Sequence, residues 1–427
     1  MNRTEEAVVF TPERAPWLGT EPLARLLAVL DADGEEARVV GGAVRNTLLG
    51  LAPGDIDLAT TALPDEVMRR ATKAGFHAVP TGIEHGTVTV VVDERPFEVT
   101  TLREDVETFG RHAKVRFGRD WKADAERRDF TINALFLTRE GRVIDLVGGL
   151  SDIAARRVRF IGDPATRISE DRLRVLRFFR FHAAYGSGKP DAAGFSACVR
   201  AREALDILSR ERVRIEILKL MPAPRAPETA AIMAEAGILD RVLGGVADLA
   251  GFANLAAIET TLGLAADPVR RLAALAVRVV DDATRLRERL RLSNDEHRRL
   301  RGIAERWWRI DPRAPEQIAR AMLYRIGPEN FRDRALVAFA RSGAKADDRA
   351  WHELIALAKR WTPPKFPLAA KDFLERGMEK GPELGAALAH AEEAWIAEGF
   401  PVEKGRLDAI AHAAIKSARD ASGQGNE

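Results

Sequence analysis

The chain has 427 residues, 46% of them hydrophobic and 30% charged, which excludes a disordered or fibrous chain and calls for two to four structural units. No uncharged apolar run approaches the ~20 residues that span a bilayer, and the single cysteine, Cys198, excludes a disulfide framework or a Cys-rich zinc site. The 66 basic and 64 acidic residues nearly cancel at +2, yet residues 151–220 carry fifteen Lys or Arg against nine Asp or Glu, a surplus that points to a polyanion-facing region.

The early acids of MNRTEEAVVF, in place of a basic-then-apolar leader, predict a cytoplasmic protein. In chain order, ARVVGG predicts a strand, AVRNTLLG a helix and DIDLATT a second strand. LPDEVMRRATKAG predicts a helix, with Pro64 tolerated in the first turn and Gly75 placed to end it. GTVTVVVDE, with His85 just ahead at the strand's start, PFEVTTL and TINALFLTREGRVIDL complete the strand signals. Between Glu98 and Arg127, the charged stretch REDVETFGRHAKVRFGRDWKADAE has little periodicity and reads as a solvated loop. The first part is therefore a mixed α/β domain. Beyond Ser151 the chain is Ala, Leu, Arg and Glu at spacings of three and four, the pattern of stacked amphipathic helices. MPAPRAPE, RIDPRAPEQ and RWTPPKFP predict breaks between helical groups. Trp307 and Trp308 read as helix-packing residues and Cys198 as a buried apolar one.

Candidate chemistry begins at VVGGAVRN. A strand running into Gly41 and Gly42 would bring backbone N–H groups close to a phosphate, with Arg45 adding charge from the next helix. A plain tight turn is the alternative, and the spacing fits neither a dinucleotide fingerprint nor a P-loop. On a strand, Asp55 and Asp57 share one face with Ile56 opposite. Like charges so close repel, and oxygen ligands without neighbouring Cys or His favour Mg²⁺; a solvated, metal-free pair is the alternative. In RPFEVTTL the alternation turns Glu98 away from Phe97 and Val99, as a third site acid or a surface residue of an edge strand. AERRDFTINAL offers Arg127, Arg128 and Asp129, with free arginines on a surface turn as the bland reading. In ISEDRLRVLRFFRF, a single helix would put Asp171, Arg174 and Arg177 on one side and Leu173, Leu176 and Phe179 toward the core. Ordinary surface ion pairs explain that spacing too.

Together GGAVRN, DIDLATT, HGTVTVVVDERPFEVTTLRED, AERRDFTINAL, DLVGG and ISEDRLRVLRFFRF resemble, in order and over roughly residues 36–220, the class II tRNA nucleotidyltransferases. These are the CCA-adding enzymes, within the polymerase β-type superfamily. The resemblance implies an α+β fold: a nucleotidyltransferase head with a small mixed sheet (1–150), then an all-helical neck (151–220), body (221–310) and tail (311–427). It implies that Asp55 and Asp57 hold the catalytic metals and that Glu98 is the third carboxylate. Two Mg²⁺ ions ~4 Å apart would then serve in-line attack of an RNA 3′-hydroxyl on a nucleotide α-phosphate, with pyrophosphate leaving. Gly41, Gly42, Arg45, Arg127, Arg128, Asp129 and Asn133 become nucleotide-binding residues. Asp171 and Arg174, supported by Glu170 and Arg177, become the base reader. Cytosine and adenine both offer an exocyclic amine beside a ring-nitrogen acceptor, which a carboxylate and a guanidinium match; uracil and guanine invert that pattern.

The implied partners are tRNA, CTP and ATP, with no membrane and no stable protein partner. The full-length loop after Glu98 favours complete CCA addition over CC addition. Bacterial poly(A) polymerases share the same motifs, but many carry strongly basic tails, whereas DFLERGMEKGPELGAALAHAEEAWIAEGF is mixed and acidic. Poly(A) synthesis or partial A addition is the enzymatic alternative, and a silent RNA-binding module the non-enzymatic one. Asn46 departs from the Asp more usual in GG-x-V-R-D: a neutral contact to Arg45 survives this change and a salt bridge does not. Gly148 and Gly149 read as a turn or a hinge.

Overall fold

The computed structural model describes residues 8–109 and 112–423. The chain forms two compact units: residues up to Gly245 with Arg289–Arg291, and Val246–Glu288 with the residues from Leu292 onward.

The strands lie in the first unit: β1 (Ala37–Val40), β2 (Asp57–Thr60), β3 (His77–Gly82), β4 (Thr87–Val92), β5 (Arg95–Thr101), β6 (Arg103–Phe109), β7 (His112–Phe117), β8 (Leu135–Leu137) and β9 (Val143–Asp145). Seven form one mixed sheet in the order β3-β4-β5-β2-β1-β8-β9. Only β2 and β5 run parallel within it. Period-2 patterning builds its core face: Val88, Val90 and Val92 of β4 and Phe97 and Val99 of β5 are buried. Helices α1 (Glu21–Leu30) and α3 (Pro64–Lys73), on either side in sequence of α2 (Gly42–Leu48), cover that face. Leu23, Leu26, Leu27 and Leu30 of α1 are fully buried, each worth roughly 1.5–3 kcal/mol relative to exposure.

Two expectations change here. The loop expected after Glu98 is a separate two-stranded ribbon, β6–β7. Its second strand, HAKVRF, alternates polar with apolar residues, a period-2 signal that the loop reading passed over. Strand β3 was hidden for a different reason: it is an exposed edge strand containing Pro80, where proline is tolerated. His85 falls in a 3₁₀ turn, Ile83–His85, ahead of β4 rather than in the strand.

The remaining helices that shape this unit's site are α4 (Trp121–Glu126), α5 (Gly149–Ala154), α6 (Pro164–Glu170), α7 (Arg174–Tyr185), α8 (Ala192–Arg200) and α9 (Arg210–Leu220). The single helix expected through Asp171 and Arg174 is in fact two. Asp171 is extended, at φ −148° and ψ 107°, and its own Oδ1 accepts the Leu173 N–H at 3.1 Å, a local bond that competes with helix continuation. Leu173, Leu176 and Phe179 are buried as expected. Phe130, Phe160, Phe178 and Phe181 form an aromatic cluster that fixes α7 against the AERRDF segment. The expected turn at Gly148 and Gly149 is present, tied by Asp145, whose carboxylate accepts the N–H groups of Val147, Gly148, Gly149 and Leu150.

Among its described residues the second unit is helical. The breaks predicted at RIDPRAPEQ and RWTPPKFP fall between helices, as does the one at MPAPRAPE in the first unit. A further break occurs at Gly327, φ +78°, beside Pro328 within Glu316–Arg341. Phe373, Ala391, Trp395 and Ala411 centre one core. Trp307 and Trp308 sit in a 3₁₀ turn, not a helix, and Trp308 is exposed.

Candidate active site

Strand pairing does the first positioning. The β4–β5 hairpin turns through Asp93 and Glu94, both with positive φ, the backbone of a tight two-residue turn. Its register sets Glu98 opposite Thr89 and, across the parallel ladder, beside Asp57. On β5, Phe97 and Val99 point inward while Glu98 is exposed, as the alternation predicted. Asp57 and Glu98 line one cavity of about 570 Å³. Burial, then Glu98 and Asp55, push the Asp57 carboxyl above its usual range, with Arg128 working against them.

Asp55 does not share that strand. β2 begins at Asp57, and Asp55 lies in a bend two residues earlier, outside the cavity lining. The flanking Pro53 and Gly54 delay strand pairing, which the DID spacing does not reveal. Among the described residues, no group of three or more His, Cys, Asp and Glu side chains stands ready to hold a metal. The acids nonetheless fit a hard cation: they are oxygen donors that, among the described residues, no ion pair engages. Mg²⁺ commonly uses one or two carboxylates and completes its shell from phosphates and water.

Gly41 and Gly42 also line the cavity. Gly41 has φ +74°, and a Cβ there would meet the Asn133 carbonyl and Arg128; glycine is required by backbone and space alike. Arg45 is buried, and its guanidinium is largely committed to the protein. It donates to Asn133, to Asn46 Oδ1 through Nε (3.1 Å) and NH2 (2.8 Å), and to the Tyr185 hydroxyl (2.8 Å). Burial pulls its pKa below the usual arginine range, and Tyr185 opposes that. The neutral contact expected between Asn46 and Arg45 is present. Asn46 Nδ2 also donates to the Ala52 carbonyl at 3.0 Å, tying α2 to the turn that leads into the acids.

Arg127 and Arg128 face the cavity because Asp124, buried behind them, holds both. Arg127 Nε reaches Asp124 at 2.8 Å and Arg128 NH2 at 2.9 Å. Burial opposes ionisation of Asp124, yet Arg128 and Arg127 hold its carboxyl below the usual range. Asp129 accepts from Asn133 (3.0 Å) and from Arg177 (2.7 Å). Asp124 was missed; its i,i+3 and i,i+4 spacing to the two arginines was the available signal.

The predicted base-reading residues divide. Asp171, Arg174 and Arg177 line the cavity and Glu170 does not. Glu170 accepts from Arg167 and Arg174. Asp171 pairs instead with Arg212 of α9, at 2.6 Å. Arg212, Thr87, Thr100 and Phe181 also line the cavity, and sequence reasoning missed all four. Arg212 lies 41 residues from Asp171, beyond any periodicity.

Two family models match the chain: the Poly A polymerase head domain over residues 37–159, and the probable RNA and SrmB-binding site of polymerase A over residues 191–249. The mitochondrial CCA tRNA nucleotidyltransferase 1 of Mus musculus is 33% identical over 401 residues, 91% of this chain and 89% of the relative. The chain belongs to the CCA tRNA nucleotidyltransferase family. The CCA-adding enzyme of Bacillus cytotoxicus is 40% identical over 201 residues, 47% of this chain and 49% of that protein. The crystal structure of the Bacillus stearothermophilus CCA-adding enzyme in complex with CTP matches with a TM-score of 0.72 at 26% identity, covering 97% of this chain and 100% of that one. The CCA-adding likeness thus runs well past residue 220, where the recognisable motifs stop. Nucleotidyltransferases of this family generally use a divalent metal. Among the described residues no helix is long and apolar enough to cross a membrane.

Proposed function

We propose that this chain adds C, C and then A to the 3′ end of tRNA, from CTP and ATP, releasing pyrophosphate. The observation that carries the reading is the in-register pair Asp57 and Glu98, uncompensated acids in one cavity with Arg127, Arg128, Arg174 and Arg177. Mg²⁺ is the ion assigned to Asp57 and Asp55; when bound it supplies charge stabilisation to the reacting phosphates. Arg127 and Arg128, braced by Asp124, present cations to the triphosphate. Asp129 and Asn133 meet the ribose, where a carboxylate acceptor suits a 2′-hydroxyl. Asp171 and Arg174 read the base, with Arg177 orienting Asp129 and Glu170 orienting Arg174. Glu98 adds negative charge beside Asp57 that strengthens cation binding. No protein nucleophile is required, because the RNA hydroxyl attacks directly.

Catalysis is assigned to residues 1–150, base selection to 151–220, and tRNA binding to the helices of 221–310 and 311–427. The cytoplasm is the proposed compartment, since a lone, buried Cys198 suits a reducing environment. The test is tRNA lacking CCA, incubated with labelled CTP, labelled ATP, or both. CCA addition predicts two residues with CTP alone and a stop at three with both. Long A tracts would identify a poly(A) polymerase, and binding without addition an RNA-binding module.

A further inference from the structure

Asp171, assigned to the base, is already engaged by the protein. Its Oδ1 accepts the Leu173 N–H at 3.1 Å and Arg212 NH1 at 3.2 Å, and its Oδ2 accepts Arg212 NH2 at 2.6 Å. Arg174, three residues further on, is turned to Glu170 and to the Arg167 carbonyl. A carboxylate offers about four lone-pair positions. Both on Oδ1 are filled, and one of the two on Oδ2. We propose that Arg212 is a positioning residue for base selection: its fork fixes Asp171 as an acceptor with one open lone pair, on Oδ2, for the exocyclic amine of the incoming nucleotide. This deepens the reading of the site above and rests on it. Cytosine and adenine donate into that lone pair, whereas uracil and guanine place a carbonyl oxygen against it and leave two acceptors opposed. The need for a clamp follows from the fold. Asp171 sits on extended backbone between α6 and α7, without a helix to restrict its rotamers, and a free side chain there turns away from the base.

The experiment is addition of the first nucleotide to tRNA lacking CCA, with kcat and KM measured for CTP and for UTP. The proteins are the wild type, Arg212→Lys, Arg212→Ala, Asp171→Ala and the Asp171→Ala, Arg212→Ala double variant. Arg212→Ala should lower the CTP-to-UTP ratio of kcat/KM about tenfold, chiefly by raising KM for CTP. Arg212→Lys keeps the charge and loses the fork, so it should fall between, at about threefold; it carries the test if the alanine variant does not fold. In the Asp171→Ala background, losing Arg212 should change the ratio by less than about twofold, because an effect exerted through Asp171 cannot add to its removal. An unchanged ratio in the single variants overturns the inference. So does an equal rise in KM for both nucleotides that persists without Asp171, which would make Arg212 a direct nucleotide contact. A wild type that adds no C overturns the proposed function itself, and the inference with it.

Discussion

The second unit holds a cluster of buried charges as dense as the one around the cavity, and it closes on itself. Glu259 accepts from Arg270 at 2.8 Å and Arg271 at 2.6 Å; Asp333 from Arg270 at 3.1 Å and Arg299 at 2.5 Å; Asp267 from Arg299 at 2.8 Å. Each acid has its arginine. In the first unit Asp124 and Asp129 are answered in the same way, but among the described residues no arginine or lysine pairs with Asp57 or Glu98, although the two sit beside each other across a ladder. Buried charge alone therefore does not mark a site. Charge left unbalanced at an opening does, because only a ligand or ion can complete it.

That contrast can be broken by substitution. Asp57→Asn removes a repelled charge, so transfer should fall on the order of a thousandfold while Tm stays level or rises, as expected where stability has been given up for function. A clear drop in Tm would mean that Asp57 is compensated after all. In the second unit the outcome reverses. Asp333→Ala takes one of two carboxylate partners from each of Arg270 and Arg299 in a buried cluster and should cost about 3–5 kcal/mol, read by urea unfolding, while kcat per folded molecule is retained. A loss below about 1 kcal/mol would deny that the closed cluster is structural.

The pH dependence sharpens the same contrast. Asp57 has a raised carboxyl pKa, burial being the first cause, so its contribution to stability is present below the usual Asp value of 3.8 and is lost as pH rises through its folded value. The Tm advantage of Asp57→Asn should therefore widen from about pH 4 to about pH 7. Asp267 is shifted the other way: burial opposes, but the Arg270 N–H and Arg299 hold its carboxyl below 3.8. Its contribution is present above 3.8 and is lost as pH falls through the lower folded value, so Asp267→Asn should matter at neutral pH and fade on acidification. Parallel Tm profiles for the two variants would contradict the assignment. The smallest effect is expected at Asn46. Asn46→Ala removes the tie between Arg45 and Ala52 and should cost about 1 kcal/mol, checked by denaturant titration.

What could be read from the sequence follows from how far each contact reaches. Glu98 was legible because strand alternation is local and two buried neighbours flank it. The Arg45–Asn46 contact was legible because the residues are adjacent. The helix break at Asp171 was not: no glycine or proline marks it, and three-residue spacing continues across it. An Asp three residues ahead of the first residue of α7 was the signal available, since such a side chain accepts a nearby backbone N–H, here that of Leu173. Arg212 and Tyr185 reach their partners over 41 and 140 residues, distances at which only folded packing decides who meets whom. The β6–β7 ribbon was legible in part: HAKVRF alternates polar with apolar residues, whereas REDVETF, with four charged residues and its two apolar ones three apart, gives no period-2 pattern.

Mass spectrometry of the 3′ end of tRNA lacking CCA, after incubation with CTP, ATP and Mg²⁺, tests most directly whether Asp57 is the centre where the nucleotide joins. Wild type and Asp57→Ala are compared, with tRNA affinity measured on the same preparations. Three added residues with the wild type, none with the variant, and equal affinity are the predicted result. Three residues added by Asp57→Ala at an undiminished rate would contradict it.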